Sequence, residues 1–337
     1  MSGLGLLSFD DPTGAAVVVA GMVAGRARDD SARVWDELER GGFTLVSVPE
    51  CAGGSGGDVT TAAAIVEAVA AESIPIPLSD TCLLAGWALA AAGIAVPRGP
   101  IAVARVGPDE TVQVRDVPFA RSGWPLVVVS AADVGTQVCL CELAHEHVRA
   151  SSNLAGEPRG SVTIDGAVRP VAVGRAAFAT VDLERRGAIA RSVQILGAAR
   201  RAVESSYRYA GEREQFGRPI VQFQAVQHHL AEMVGEVVVL RSAVRAAINA
   251  LNDGDSDLEF VAGASKIQAG RTASRVARLA HQVHGALGFT DEHDLHLSTT
   301  RLWAWRDEFG SEFEWGARLS TGAARSDEPL WRIVTDN

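Results

Sequence analysis

The apolar residues of this chain change their period twice, and that change limits the folds open to it. From Asp182 to about Leu319 they recur every three or four positions. Leu183, Ile189, Val193, Leu196 and Ala199 fall on one side of a helix, and Val226, Leu230, Met233, Val237 and Leu240 form a second stripe of the same spacing. Asn252-Asp253-Gly254-Asp255 reads as a connection, with Ser256 and Glu259 as a capping box at the next helix start. That helix runs to about His284 and stops near Gly285 and Gly288. A last helix covers roughly His296–Leu319. Four long helices with short connections predict an up-and-down bundle of about 150 residues.

Between Pro97 and Val181 the pattern is β. The segments IAVARV, TVQVRDV, PLVVVSA, QVCLCEL, SVTIDG and AVRPVAV are short, valine-rich and separated by turn residues, which predicts a small antiparallel sheet or barrel. Pro118 and Pro125 point to edges or loops rather than central strands. Residues 1–96 are alanine-rich. Helices are expected there at Asp29–Leu38, Val59–Ala71 and Asp80–Ala92, with Asp58 capping the second. The fold class is therefore α+β: an N-terminal helical domain (1–96), a small middle β-domain (97–181) and a C-terminal four-helix bundle (182–337). No internal repeat is visible.

Composition removes several functions. Of 337 residues, 31 are basic and 41 acidic, a net charge of −10, which argues against a non-specific nucleic-acid binder. Lys266 is the only lysine. The longest nearly unbroken apolar stretch, Cys82–Val96, is shorter than the about 20 residues a membrane helix needs. The start, MSGLGLLSFDDP, has no basic n-region, so no signal peptide is expected. Cys51, Cys82, Cys139 and Cys141 are too sparse for a disulfide scaffold, and a reducing cytoplasm is the expected compartment. Cys139-x-Cys141 before His145-x-His147 lacks the usual zinc spacing, so no metal is expected. The glycine run Gly53–Gly57 is not followed by Gly-Lys-Ser/Thr, which excludes a Walker loop.

Two segments carry a stronger signal. Tyr209–Met233 reads YAGEREQFGRPIVQFQAVQHHLAEM, and Gln282–Phe289 reads QVHGALGF. The first resembles the R-x-x-F-G turn and F-Q-x-x-Q-x-x-L-A-x-M helix of the acyl-CoA dehydrogenase family. The second resembles that family's Q-x-x-G-G-x-G-[F/Y], with Ala286 in place of its second glycine. PECAGGSGGD at Pro49–Asp58 resembles its P-x-x-x-G-G-x-G loop. The order of the three motifs and the helix–sheet–helix layout agree with that family. Taken without the resemblance, Arg213 is a guanidinium at a turn and suits bidentate phosphate contact. Phe216 offers a flat apolar face, and Gly285 allows close backbone approach. An ordinary helix–helix turn with a solvated arginine fits the same residues. The resemblance implies that Arg213, Gln215, Phe216, Gln282 and Gly285 contact FAD held by a neighbouring subunit.

The family's reaction removes a proton α to a thioester carbonyl and passes a hydride from the β carbon to the flavin. It needs one carboxylate, tuned by burial. The resemblance places that base at one of two positions, and both carry glutamate here: Glu184 in VDLERRG and Glu308 in RDEFGSEF, where Phe309 replaces the family's glycine. Structurally, Glu184 reads as a first-turn acid favoured by the helix dipole, and Glu308 as a solvated charge among Arg306, Asp307 and Glu312. The chain providing no base is the third possibility.

The middle domain departs from the family. Its T-E-x-x-x-G-S-D and W-I-T/S-N stretches, which bracket the flavin ring, are missing. The nearest counterpart of the second is PFARSGW, with Pro118, Phe119 and Ala120 where the aromatic and hydroxyl groups belong. The pattern resembles the short subunit of the α2β2 heterotetrameric acyl-CoA dehydrogenases of actinobacterial steroid side-chain (cholesterol) degradation. It implies a full-length acyl-CoA dehydrogenase partner, FAD shared at the interface, an acyl-CoA substrate and electron-transfer flavoprotein or a similar acceptor. From the net charge and the short apolar stretch, neither nucleic acid nor membrane is expected as a partner. Two alternatives stand beside this: a homomeric dehydrogenase with its own FAD and Glu184 as base, and a non-catalytic assembly subunit.

Overall fold

Helix α5 (Thr180–Glu212) is the element around which the others pack. The computed structural model describes residues 11, 13–26, 30–106, 113–164, 168–254 and 257–325. Asp29, Asp255, Ser256, the terminal MSGLGLLSFD and the ends of two strand segments (Thr111, Val112; Asp165–Ala167) lie outside them.

α5 is buried on nearly every side, because α3 (Val59–Ala71) covers one flank while α6 (Gln224–Asp253), α7 (Leu258–His284) and α8 (Leu295–Arg306) cover the others. Small residues make this possible. At Gly197 a Cβ would stand 2.4 Å from the backbone carbonyl of Glu67 on α3, so glycine sets the approach of the two helices. The stripes expected on α5 and α6 are buried, except that Val226 is only half-covered.

The helix expected over His296–Leu319 is two helices. α8 stops at Arg306, and α9 (Glu312–Arg325) starts after a turn in which Phe309 and Gly310 take φ of 55° and 96°. The buried Lys266 on α7 stabilises this break: its Nζ donates to the carbonyls of Arg306 and Gly310, the latter at 2.8 Å. These carbonyls have no partner within α8, and an ammonium supplies one.

The N-terminal helices are α1 (Ala15–Val23), α2 (Ser31–Arg40), α3 and a short α4 (Gly86–Ala91) that continues from a π-helical turn, Asp80–Ala85. Asp58 caps α3 by accepting the Thr61 N–H at 2.7 Å. No helix among the described residues is long and apolar enough to cross a membrane.

Among the described residues seven strands follow: β1 (Ala102–Val106), β2 (Gln113–Pro118), β3 (Pro125–Ala131), β4 (Thr136–Glu142), β5 (Val148–Ser152), β6 (Pro158–Thr163) and β7 (Pro170–Ala176). They form two sheets, β1-β3-β4-β7 and β2-β6-β5. The sheets are not wholly antiparallel: β2 leaves for the second sheet, so β1 and β3 become parallel neighbours. Pro125 begins a central strand rather than an edge, which costs no ladder bond at a strand's first residue. β5 (VRASS) lacks an apolar alternation and gives no strand signal in sequence. Along the four-stranded sheet, Val103, Val127 and Val129 face the main core, while Ala102, Ala104, Leu126 and Val128 face the second sheet.

Gly197→Ala is expected to lower stability by about 1–3 kcal/mol in urea unfolding, through overpacking against backbone. Gly211→Ala, on the same helix with open space around it, is expected to be neutral or to stabilise by up to about 1 kcal/mol.

Candidate functional site

α5 ends at Arg213, which opens a two-stranded hairpin, β8 (Glu214–Gln215) and β9 (Arg218–Pro219). The Arg213 N–H donates to the Tyr209 carbonyl at 2.8 Å, and its own carbonyl accepts the Ile220 N–H at 2.8 Å. The backbone is thus fixed, while the side chain stands exposed and meets no acid among the described residues. Phe216 and Gly217 form the hairpin tip with φ of 52° and 75°, both left-handed. That conformation strains a phenylalanine. Yet Phe216 is 92% exposed, with only an edge contact to Phe223, so within this chain the strain is matched by no burial.

Gln282 and Gly285 lie at the end of α7, and both are exposed. Gly285 has φ 61° and ψ −141°, and a Cβ there would meet nothing within 4 Å, leaving the backbone open to an approaching group. The two motifs meet through an aromatic stack. Tyr209, one turn before Arg213, lies on His284 with ring centroids 4.6 Å apart, and His293 closes on His284 at 4.5 Å. Burial pushes the His284 pKa down to about 4, and its Nδ1–H donates to the Ala280 carbonyl, so the ring is neutral and packs as an aromatic. Arg213 lines a cleft of about 760 Å³, and Gln282 and Gly285 line another of about 1100 Å³.

The two candidate acids sit elsewhere. Glu184 is in the second turn of α5 and Arg213 just past its last, roughly 45 Å apart at 1.5 Å per residue. One flavin within this chain cannot serve both. Glu184 pairs with Arg105 at 2.5 Å and Arg318 at 3.0 Å, beside a cavity of about 400 Å³. Glu308 is not the solvated charge its sequence neighbours suggest. It is largely buried, with one carboxylate oxygen on Arg159 and the other on Arg191 at 2.6 Å. Burial would raise its pKa, but Arg191 and then Arg159 more than offset this and hold it below the ordinary glutamate value. A carboxylate held in this way is a poor proton acceptor. Phe309 seals the place from the other side: its ring occupies the notch at Gly187, where a Cβ would come within 2.1 Å of it.

These contacts belong to a buried chain of alternating charges. Asp80 bonds Arg191 at 2.9 Å, Arg191 and Arg159 hold Glu308, Arg159 reaches Glu157 at 3.5 Å, and Glu157 pairs with Arg301 at 3.1 Å. Trp305 adds an indole N–H to Glu157 at 2.9 Å. None of Asp80, Glu157, Arg159, Arg191 and Arg301 is nominated by the motifs. The available signal is weaker: Arg191 lies inside an apolar helical stripe, where an arginine needs a partner.

The FAD implied by the motifs fits this chain on one side only. The hairpin tip, Arg213 and the open Gly285 backbone can meet a dinucleotide from outside. At the middle-domain counterpart of the ring-bracketing stretch, Phe119 and Ala120 are buried and Phe119 lies under Arg159, so neither side chain is presented to a ring. No cluster of metal ligands occurs among the described residues.

Residues 176–305 match the family model described as acyl-CoA dehydrogenase, C-terminal domain. That match takes in the greater part of the C-terminal bundle, which thus resembles an acyl-CoA dehydrogenase C-terminal domain. Acyl-CoA dehydrogenase IpdE2 of Mycobacterium tuberculosis is 28% identical over 291 residues, 84% of each chain. Among solved structures, the ChsE4–ChsE5 complex from Mycobacterium tuberculosis superposes with a TM-score of 0.82 over 94% of this chain and 99% of that one, at 22% identity. A Tcur3481–Tcur3483 steroid ACAD variant gives 0.75 over 95% and 97%, at 24% identity. At these identities the structural likeness is one of fold.

Glu308→Gln is expected to cost about 3 kcal/mol at pH 7, because it leaves two buried guanidiniums under-compensated. A depressed carboxylate stabilises the fold above its unfolded pKa, near 4.5, and loses that contribution as pH falls through the folded value. The gap between parent and variant in denaturant unfolding should therefore be constant above pH 5 and shrink below 4.5. An equal gap at pH 3 and pH 7 would argue against an ionised Glu308.

Proposed function

We propose that the chain is the short subunit of a heteromeric acyl-CoA dehydrogenase, acting in the cytoplasm on an acyl-CoA thioester of steroid side-chain type. A full-length family member is its partner. The observation that carries this reading is Phe216, a strained aromatic held in solvent at the tip of a rigid hairpin beside Arg213, which pairs with no acid among the described residues. Such a residue serves something outside the chain.

Arg213, Gln215, Phe216, Gln282 and Gly285 would hold FAD bound mainly by the partner. Held there, FAD would supply the hydride acceptor for α,β-dehydrogenation, with electron-transfer flavoprotein or a similar acceptor as the electron sink. This chain's residues bind and orient. The guanidinium meets phosphate oxygens, the ring covers an apolar surface, and the open glycine backbone offers hydrogen-bonding groups. The partner supplies the base, since Glu184 is held by two arginines and Glu308 by two others. The steroid class is supported by the likeness to the Tcur3481–Tcur3483 steroid ACAD, and the heteromeric assembly by the likeness to the ChsE4–ChsE5 complex. The division into domains 1–96, 97–181 and 182–337 is part of the same reading.

Expressed alone, the chain should be colourless. Co-expressed with a full-length family member, it should yield a complex with flavin absorbance. A yellow homomer would sink this reading in favour of a dehydrogenase with its own FAD. In the complex, Glu184→Gln should leave kcat within about twofold. A loss in the range of roughly 10²–10⁴, the usual contribution of a general base, would place the base in this chain.

A further inference from the structure

The cleft containing Gln282 and Gly285 is the larger of the two beside the half-site, and most of its charges cancel. Three arginines of α7 line it: Arg271, Arg275 and Arg278. Arg271 is neutralised by Glu312 at 2.9 Å, and Arg275 by Glu232 and by Glu236 at 3.6 Å. Arg278 is exposed and makes no hydrogen bond or ion pair among the described residues. It stands one turn before Gln282, on the same face of α7. The end of the cleft is aromatic: Phe289 is 76% exposed and stacks on His281 with centroids 4.4 Å apart. Burial lowers the His281 pKa, which favours a neutral ring and adds no competing cation.

One uncompensated guanidinium beside a flat apolar platform suits a ligand that combines an anionic group with a planar ring. We propose that Arg278 is a further phosphate-binding residue for the partner-held dinucleotide, acting beside Gln282. The inference rests on the reading of this chain as a half-site for FAD, and Arg278 is a residue the family motifs do not nominate. A guanidinium free of intramolecular pairing gives up no ion pair when it meets a phosphate, whereas Arg271 and Arg275 must each leave a carboxylate first. The cleft therefore discriminates among its own three arginines.

The test uses the flavin-depleted complex with the full-length partner, titrated with FAD and followed by quenching of flavin fluorescence. Arg278→Ala should raise the Kd for FAD about tenfold, the loss of one charge-assisted contact. It should also flatten the salt dependence of binding, which a merely structural role would not move. Arg278→Lys should recover part of the affinity. Arg271→Ala should leave the Kd within twofold and serves as the control for general positive charge. Equal FAD affinity in the Arg278→Ala and parent complexes overturns the inference and leaves the half-site reading standing. An equal loss in Arg271→Ala also overturns it, because overall charge would then be acting. A parent complex that takes up no FAD overturns the half-site reading and this inference together.

Discussion

Six charged side chains alternate in sign through the middle of the molecule: Asp80, Arg191, Glu308, Arg159, Glu157 and Arg301. They come from the π-helical turn, α5, the α8–α9 turn, β6, the β5–β6 turn and α8. Each would cost several kcal/mol to desolvate alone, and the alternation offsets that cost with no net charge left over. A pairing of this kind tolerates little change in geometry, because a shifted element leaves a buried charge uncompensated. It therefore binds the N-terminal helices, the β-sandwich and the bundle into one arrangement. Lys266 supports it from below by holding the carbonyls of the turn that presents Glu308.

The same chain of charges separates the two ends of α5 in their possible roles. At its start, the place where the family keeps an acid is filled by ion pairs and by Phe309 against Gly187. At its far end, an arginine, an exposed phenylalanine and an open glycine backbone remain unspent. At one end the acid is ion-paired within the chain, and at the other the groups stand exposed and Arg213 meets no acid among the described residues. The strained hairpin tip is consistent with that division, since among the described residues no burial compensates for its conformation.

Much of the fold is legible in the residues. The helical period marks α5, α6 and α7 because each buries one continuous stripe, and Asp58 marks the start of α3 because its carboxylate has one local task. What escapes notice has a common cause. β5 carries no alternation, the break before α9 depends on a lysine some forty residues earlier in the chain, and the parallel β1–β3 pair depends on where β2 goes. Each is a long-range consequence with little local signature. At the site, Arg213, Gln215, Phe216, Gln282 and Gly285 are nominated by motif, and the Tyr209–His284 stack is what brings those motifs to one end of the bundle.

The sequence by itself determined the α+β architecture, the helical and strand periods and the two FAD-type motifs, because these are written in spacing between near neighbours. Only the tertiary structure decided which charges are compensated. Glu308 looks solvated among its sequence neighbours and is clamped by arginines from a strand and a distant helix. Arg278 looks like one of three equivalent arginines and, among the described residues, is the one no acid reaches. Pairing is a matter of distance in space, and in a folded chain that distance is set by packing rather than by position along the backbone.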